Sequence, residues 1–268
     1  MRKRPAIGPL LLLLGMALVA SHSAPAPLAG QSSSEDRKVV AVLYFENHTG
    51  VERFEPLGKG LAEMLITDLS GIGSLRLVER ARLQDLIDEQ QLSRSDYSNP
   101  DTALEIGRVL AAEYVITGSV VGVEPEVRVD SRLIHTETAE ILQTASAAGT
   151  EDRFFTIQEE LSVALVEGLE IAFSDQEREE YERHRERNRI QDAETAVAYS
   201  QALDEYDRGN YVEALEKIAF VARRAPASTM VELTYERIRD DAEEAAQDEA
   251  ESRVRGFLRG LIPGGDER

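Results

Sequence analysis

Few residues in this chain have the types and spacing that chemistry needs. It has 268 residues, four histidines and no cysteine. His22 belongs to an N-terminal leader, His48 and His135 fall in separate loops, and His184 sits in a run of Glu and Arg. No two of them are spaced as metal ligands. Without cysteine there is no thiolate catalysis, no Cys-bound zinc, no disulfide and no lipid anchor on Cys. Gly58-Lys59-Gly60 has some of the look of a phosphate loop. It lacks the remaining glycine and the Ser or Thr after lysine that would complete one. Close packing of a helix on a sheet accounts better for these small residues. Glu79-Arg80 reads as an ion pair at a strand end and helix start rather than a catalytic dyad. There is no Gly-x-Ser-x-Gly elbow and no nucleotide fingerprint, and no carboxylate pair stands out from a generally acidic surface. Asn47-His48-Thr49 matches a glycosylation sequon and reads as a chance match. The expectation is a protein without catalytic residues, metal or cofactor, and not an enzyme.

Charge and leader narrow the class further. A formal net charge of -20 argues against nucleic-acid binding, because phosphate calls for clustered Lys and Arg. Arg2, Lys3 and Arg4 precede an apolar run from Leu10 to Ala20, and small residues follow at Ser21, Ser23 and Ala24. This is the layout of a secretory signal over residues 1–23, too short for the roughly 20 residues of a membrane span. An uncleaved anchor is the alternative. Residues 24–37 are rich in Pro, Ala and Ser and read as a disordered linker. Leu28-Ala29-Gly30-Gln31 is like a bacterial lipoprotein signal with Gln in place of the acylated Cys, so no lipid can be attached there.

Residues 38–173 carry the periodicity of an α/β domain, organised around Ala103 to Val121. There an amphipathic run ending near Glu113 passes directly into a β-branched run, the αβ half of an α/β unit. Gly118 inside that strand marks a bulge or a close backbone approach. Val39 to Phe45 is a near-continuous apolar run, which suits a strand covered on both faces. Leu57, Leu61, Met64, Leu65 and Leu69 recur at helical spacing, and Gly71 and Gly73 end that helix. Leu75 to Glu79 is a second strand and Arg80 to Gln90 a second helix. After the central strand, Val127, Val129, Ser131 and Leu133 alternate with charged residues, as in a half-solvated strand. Ile141 to Gly149 is the return strand. Phe154 to Ile171 is a last amphipathic helix. The fold class is α/β, a mixed sheet with flanking helices in the order βαβααβββα, followed by an all-α C-terminal helical-repeat segment.

Three stretches together carry a resemblance. They are Val40-Ala41-Val42-Leu43-Tyr44-Phe45-Glu46-Asn47 followed by Leu57-Gly58-Lys59-Gly60-Leu61-Ala62; Val78-Glu79-Arg80 followed by Leu83, Leu86, Glu89 and Gln90; and Ala103 through Val120. In this order and spacing, Val39 to Ile171 resembles the CsgG family, named for the curli secretion channel of the bacterial outer membrane. The resemblance implies an envelope protein that binds and assembles, without known chemistry. Its channel members form rings, and the family also includes periplasmic activators of peptidoglycan synthases and flagellar outer-membrane accessory proteins. This chain lacks the channel's lipidated Cys. Its segments Gln91 to Pro100 and Gly122 to Pro125 are too short and polar for barrel hairpins, whose strands need about 9–11 residues each.

Composition shifts at Ser174. Residues 174–191 are a charged helical linker, read as a solvated helix with opposite charges three and four apart; a lever between two binding modules is the sharper alternative. Residues 192–227 resemble one tetratricopeptide repeat, on Ala202, Tyr206, Gly209, Tyr211, Ala214 and Pro226. A single such unit cannot bury its own face and needs a neighbour. Residues 228–268 form a C-terminal helix or cap, in which Val231, Tyr235, Ile238, Ala242 and Ala245 hold helical spacing. Its basic, apolar end from Arg253 to Ile262 either caps the repeat or rests peripherally on anionic lipid. The expected role is that of an exported assembly or adaptor protein, in the periplasm or peripheral to the outer membrane. It would bind protein partners of the envelope and form a homo-oligomeric ring. A secretion-channel subunit and an activator of a peptidoglycan synthase are the alternatives.

Overall fold

The seven-residue apolar run at the start of the α/β region forms a shorter strand than its hydropathy predicts. In the computed structural model, which describes residues 37–93, 99–123 and 126–261 (side chains through residue 248, Val123 excepted), β1 is Lys38–Val42. The backbone leaves the ladder at Leu43–Phe45 and rejoins it as β2, Glu46–Asn47. Leu43, Tyr44 and Phe45 stay buried, so hydropathy alone cannot show where the pairing stops. The predicted leader over 1–23, nearly all of the linker and the side chains of the basic tail lie outside the described residues.

The sheet has the order β3-β1-β4-β5-β6, with β2 also paired to β4. Its strands β3 (Leu75–Leu77), β4 (Tyr114–Val123), β5 (Glu126–His135) and β6 (Ile141–Thr150) follow the predicted sequence of elements. β1 pairs in parallel with β3 and β4, and β4, β5 and β6 form an antiparallel meander. The sheet is therefore mixed. Val40, Ala41 and Val42 are all buried, as a strand covered on both faces requires. On β5, Val127, Val129, Ser131 and Leu133 face inward while Glu126, Arg128 and Arg132 are exposed. Gly118 marks the predicted close approach: a Cβ there would stand 2.1 Å from the Asp130 carbonyl oxygen and 2.5 Å from the Phe45 ring.

Helices α1 (Leu57–Ser70), α2 (Arg80–Gln90), α3 (Pro100–Val109) and α4 (Phe154–Gly168) flank the sheet. α1 and α4 lie side by side against the strands. α3 starts at Pro100, with the Asn99 side chain accepting from the Asp101 backbone N–H. It ends at Val109, earlier than the predicted Glu113, because Leu110 caps it and Ala111 turns at φ 53°.

The charged segment forms α5, Asp175–Arg187, opened by a capping box between Ser174 and Glu177. Its one apolar side chain places it. Tyr181 is buried, stacks on Phe173 and shares a 2.7 Å hydrogen bond with the Ser162 hydroxyl of α4. Arg185 pairs with Glu159 at 2.8 Å, and His184 Nε2 lies 2.7 Å from the Thr67 carbonyl, a contact that requires a proton on that nitrogen. The chain continues into α6 (Ala193–Asp207), α7 (Tyr211–Arg224) and α8 (Thr229–Leu261). α6 packs on α1 on one side and on α7 on the other. Asn188, at the end of α5, ties that end to the start of α8, its side-chain oxygen Oδ1 accepting from the Met230 N–H at 2.9 Å.

Between α1, α4 and α5 lies Asp68, fully buried. Gln158 donates to one carboxyl oxygen at 2.9 Å and the other has no hydrogen-bond partner. Burial pushes its pKa from 3.8 to about 7, against the smaller pull of Gln158 and Arg185. A raised carboxyl pKa favours the folded state only while the group is protonated. Its contribution is complete below the unfolded pKa near 3.8 and is lost as pH rises through about 7. Asp68→Asn is therefore expected to match the parent near pH 4 and to exceed it in stability at pH 8, on the order of a few kcal/mol. Urea unfolding at the two pH values checks this; equal midpoints at pH 8 would contradict it.

Candidate functional site

The end of α6 meets the α/β layer at a set of charges that the sequence leaves scattered. Asp204 and Asp207 lie in the last turn of α6, where the helix dipole disfavours negative charge. Arg80 opens α2, where the dipole disfavours positive charge. Each is offset by the other. Arg80 Nη1 donates to Asp207 Oδ2 at 2.7 Å, with the arginine side chain 2% and the aspartate 7% exposed. Lys59, in the first turn of α1, reaches Asp204 Oδ1 at 3.0 Å and Asp207 Oδ2 at 2.8 Å. Arg208 holds the other Asp204 oxygen at 2.5 Å. Arg80 Nε faces Glu63 at 3.6 Å, an ion pair without a hydrogen bond.

Tyr44 sits within this network. Its hydroxyl accepts from Arg80 Nη1 at 3.3 Å and donates to Gln84 Oε1 at 3.0 Å. The Lys59 ammonium lies 5.5 Å from the centre of its ring. Burial raises the phenol pKa above its ordinary value. Burial also raises that of Glu63, with Arg80 opposing. For Arg80 itself burial pulls the pKa down, and the facing Tyr44 and Asp207 more than reverse this. Tyr44 thus stays neutral and Arg80 stays charged across the physiological range.

Two glycines let the helices come close enough. A Cβ at Gly60 would stand 1.8 Å from the Ser200 hydroxyl of α6, and one at Gly58 would stand 1.8 Å from the Phe45 carbonyl oxygen. The Gly58-Lys59-Gly60 stretch is therefore a contact between helices as much as between helix and sheet, and its lysine is spent on carboxylates. Arg80 is bonded to Asp207 and faces Glu63 rather than the neighbouring Glu79. The sequence reading of an ion pair with Glu79 is corrected here: at the first position of α2 the arginine points across to α1 and α6.

Above the network opens a cleft of about 540 Å³, lined by Tyr44, Glu46, Glu55, Gln84, Asp88 and Asp207 among others. Its lysine and arginine, Lys59 and Arg208, are engaged by Asp204 and Asp207. The described histidines do not converge on it. His48 pairs with Glu46 at 3.0 Å, His135 stands edge-on to Tyr114, and His184 is on α5. Among the described residues no group of three His, Asp or Glu side chains could hold a metal ion. The signal that could have found the network is the placement of two carboxylates three apart at the wrong end of a helix dipole.

Residues 22–128 match the model of the family described as curli production assembly/transport component CsgG. The CsgG match runs from the leader to the start of β5, so β6, α4 and all later helices lie outside it. Among solved structures, the C-terminal domain of LpoB from Salmonella enterica is similar at 24% identity and a TM-score of 0.36, over 42% of this chain and 82% of that one. The lipoprotein GNA1162 from Neisseria meningitidis is similar at 15% identity and a TM-score of 0.38, over 51% and 99%. A PelC dodecamer from Paraburkholderia phytofirmans is similar at 22% identity and a TM-score of 0.29, over 48% and 81%. No curated protein matches.

Removing Asp207 leaves the buried Arg80 guanidinium without its hydrogen-bonded carboxylate. Asp207→Leu is expected to cost about 3–5 kcal/mol, and the double variant Arg80→Met with Asp207→Leu to recover most of that. A double-mutant cycle in denaturant reads the coupling; additive single effects would contradict the account.

Proposed function

We propose that this protein is a non-enzymatic assembly or adaptor protein of the cell envelope, acting by binding protein partners in the periplasm or at the inner face of the outer membrane. The observation that carries this reading is the match of residues 22–128 to the curli assembly and transport family. The N-terminal layout of charge, apolar run and small residues supports export. We read α6 and α7 as a single tetratricopeptide-like unit. Ala202 and Ala214 are buried, and the unit packs on α1 and α8 in place of further repeats.

The channel alternative needs membrane hairpins. β4 and β5 are paired along their whole length up to Val123 opposite Glu126, so their connection has no residues to spare. The α2–α3 connection spans residues 91–99, shorter than two strands of about 9–11 residues. The test combines two measurements. A tagged chain is expected in the envelope fraction of cells, processed to a shorter form, and the purified mature chain is expected to leave liposomes non-conducting. Recovery of the unprocessed chain in the cytoplasm would overturn the envelope assignment. Ion conductance would overturn the adaptor reading in favour of the channel.

A further inference from the structure

β6 has the composition of a central strand and the position of an edge strand. It closes one end of the sheet, and among the described residues its ladder partner is β5. Its ten residues, Ile141–Thr150, include no Asp, Glu, Lys or Arg and no proline. Among the described elements only β4 shares that lack of charge, and β4 lies inside the sheet. Edge strands are ordinarily protected by charge, proline, bulges or shortness, because an open row of N–H and C=O groups pairs with any extended chain. The opposite edge, β3, is protected by its length of three residues. β6 has a single irregularity near its start, opposite Leu133/Ile134, and then runs in register from Gln143 to Thr150. Ile141 and Leu142, at its start, are 52% and 38% exposed.

We infer that the β6 edge pairs with the β6 edge of a second copy of this chain, antiparallel about a two-fold axis. Charge selects the occupant. At a formal net charge of -20, two copies repel over most of their surfaces. An uncharged ten-residue strand is where they meet without opposing like charges. A two-fold axis perpendicular to the sheet keeps the α4 face of one copy aligned with that of the other. It also sets small neutral residues such as Thr144, Ser146 and Ala148 across from one another. Ladder pairing satisfies the open backbone groups that the edge otherwise leaves to water. The contact is isologous, so it closes at a dimer. It lies outside the segment that matches the curli family and stands apart from the envelope reading, which a monomer would leave intact.

The test uses the mature chain from Gln31, whose lack of cysteine makes any introduced thiol unique. Light scattering is expected to show a dimer at micromolar concentration. Single cysteines placed in turn at positions 143 through 147 are expected to form an intermolecular disulfide in high yield at the position on the axis. Directly opposed Cα atoms there lie about 4.5–5.5 Å apart, within disulfide reach. The yield should fall sharply at neighbouring positions. Ser146→Lys and Thr144→Glu, made separately, each place the new charge beside an opposite one within the chain, at Asp130 and Arg132 respectively. The fold should tolerate them, with unchanged circular dichroism, while the dimer dissociation constant rises at least ten-fold. A parent chain that stays monomeric at about 100 µM would overturn the inference. So would an oligomer that forms no disulfide at any of the five positions and is indifferent to both charge substitutions.

Discussion

The contact on which the rest of the structure depends is the buried pairing of Arg80 and Lys59 with Asp207 and Asp204. Neither side is satisfied alone. The α/β layer presents two cations at helix starts, and α6 presents two carboxylates at a helix end. All of them are substantially removed from water. Desolvation makes each group costly on its own, and facing charges at 2.7–3.0 Å offset that cost. The geometry follows from small residues. Gly60 against Ser200 brings α1 and α6 close enough for the lysine to reach the aspartates.

Once α6 is held, the remaining helices have little freedom. α7 returns along it after the short turn at Gly209. Tyr199 is fully buried with its hydroxyl 3.1 Å from Thr234 of α8, and Tyr206 bonds to Asp241 on the same helix. On the other side, α5 is fixed by Tyr181, Arg185 and His184 against α4 and α1. Among the described residues the acidic side chains are thus arranged in two ways: a few are buried in pairs and the others lie toward solvent, some of them in surface ion pairs. Against that exterior the neutral β6 edge is the exception, and it is the feature best suited to bring two copies together.

The helices and the succession of strands along the chain were legible because burial imposes period. Leu57, Leu61, Met64, Leu65 and Leu69 are all buried, and the alternation along β5 separates core from surface as its sequence suggests. The break after Val42 was not legible, since the three following residues are as buried as the strand. The joint was not legible either. Lys59 and Asp207 are 148 positions apart, and the chain carries 50 acidic residues among which two aspartates do not stand out. Such pairings are decided by tertiary packing. Local periodicity reports on the face a residue occupies and not on the element it meets. The charged run of α5 is solvent-exposed over most of its length, as its composition suggests; what composition does not show is that one buried tyrosine, Tyr181, docks it.

The Arg80–Asp207 network joins α6 and α7 to the sheet in one body, whose unfolding is expected to be cooperative. The most direct measurement is hydrogen exchange of the intact chain, followed by mass spectrometry across a denaturant series. Amides of β1, β4 and α1 are compared with those of α6 and α7. The account predicts that both sets lose protection at the same denaturant concentration, and that both shift together in Asp207→Asn. Loss of protection in α6 and α7 well before the sheet would show two independent units, and would contradict the claim.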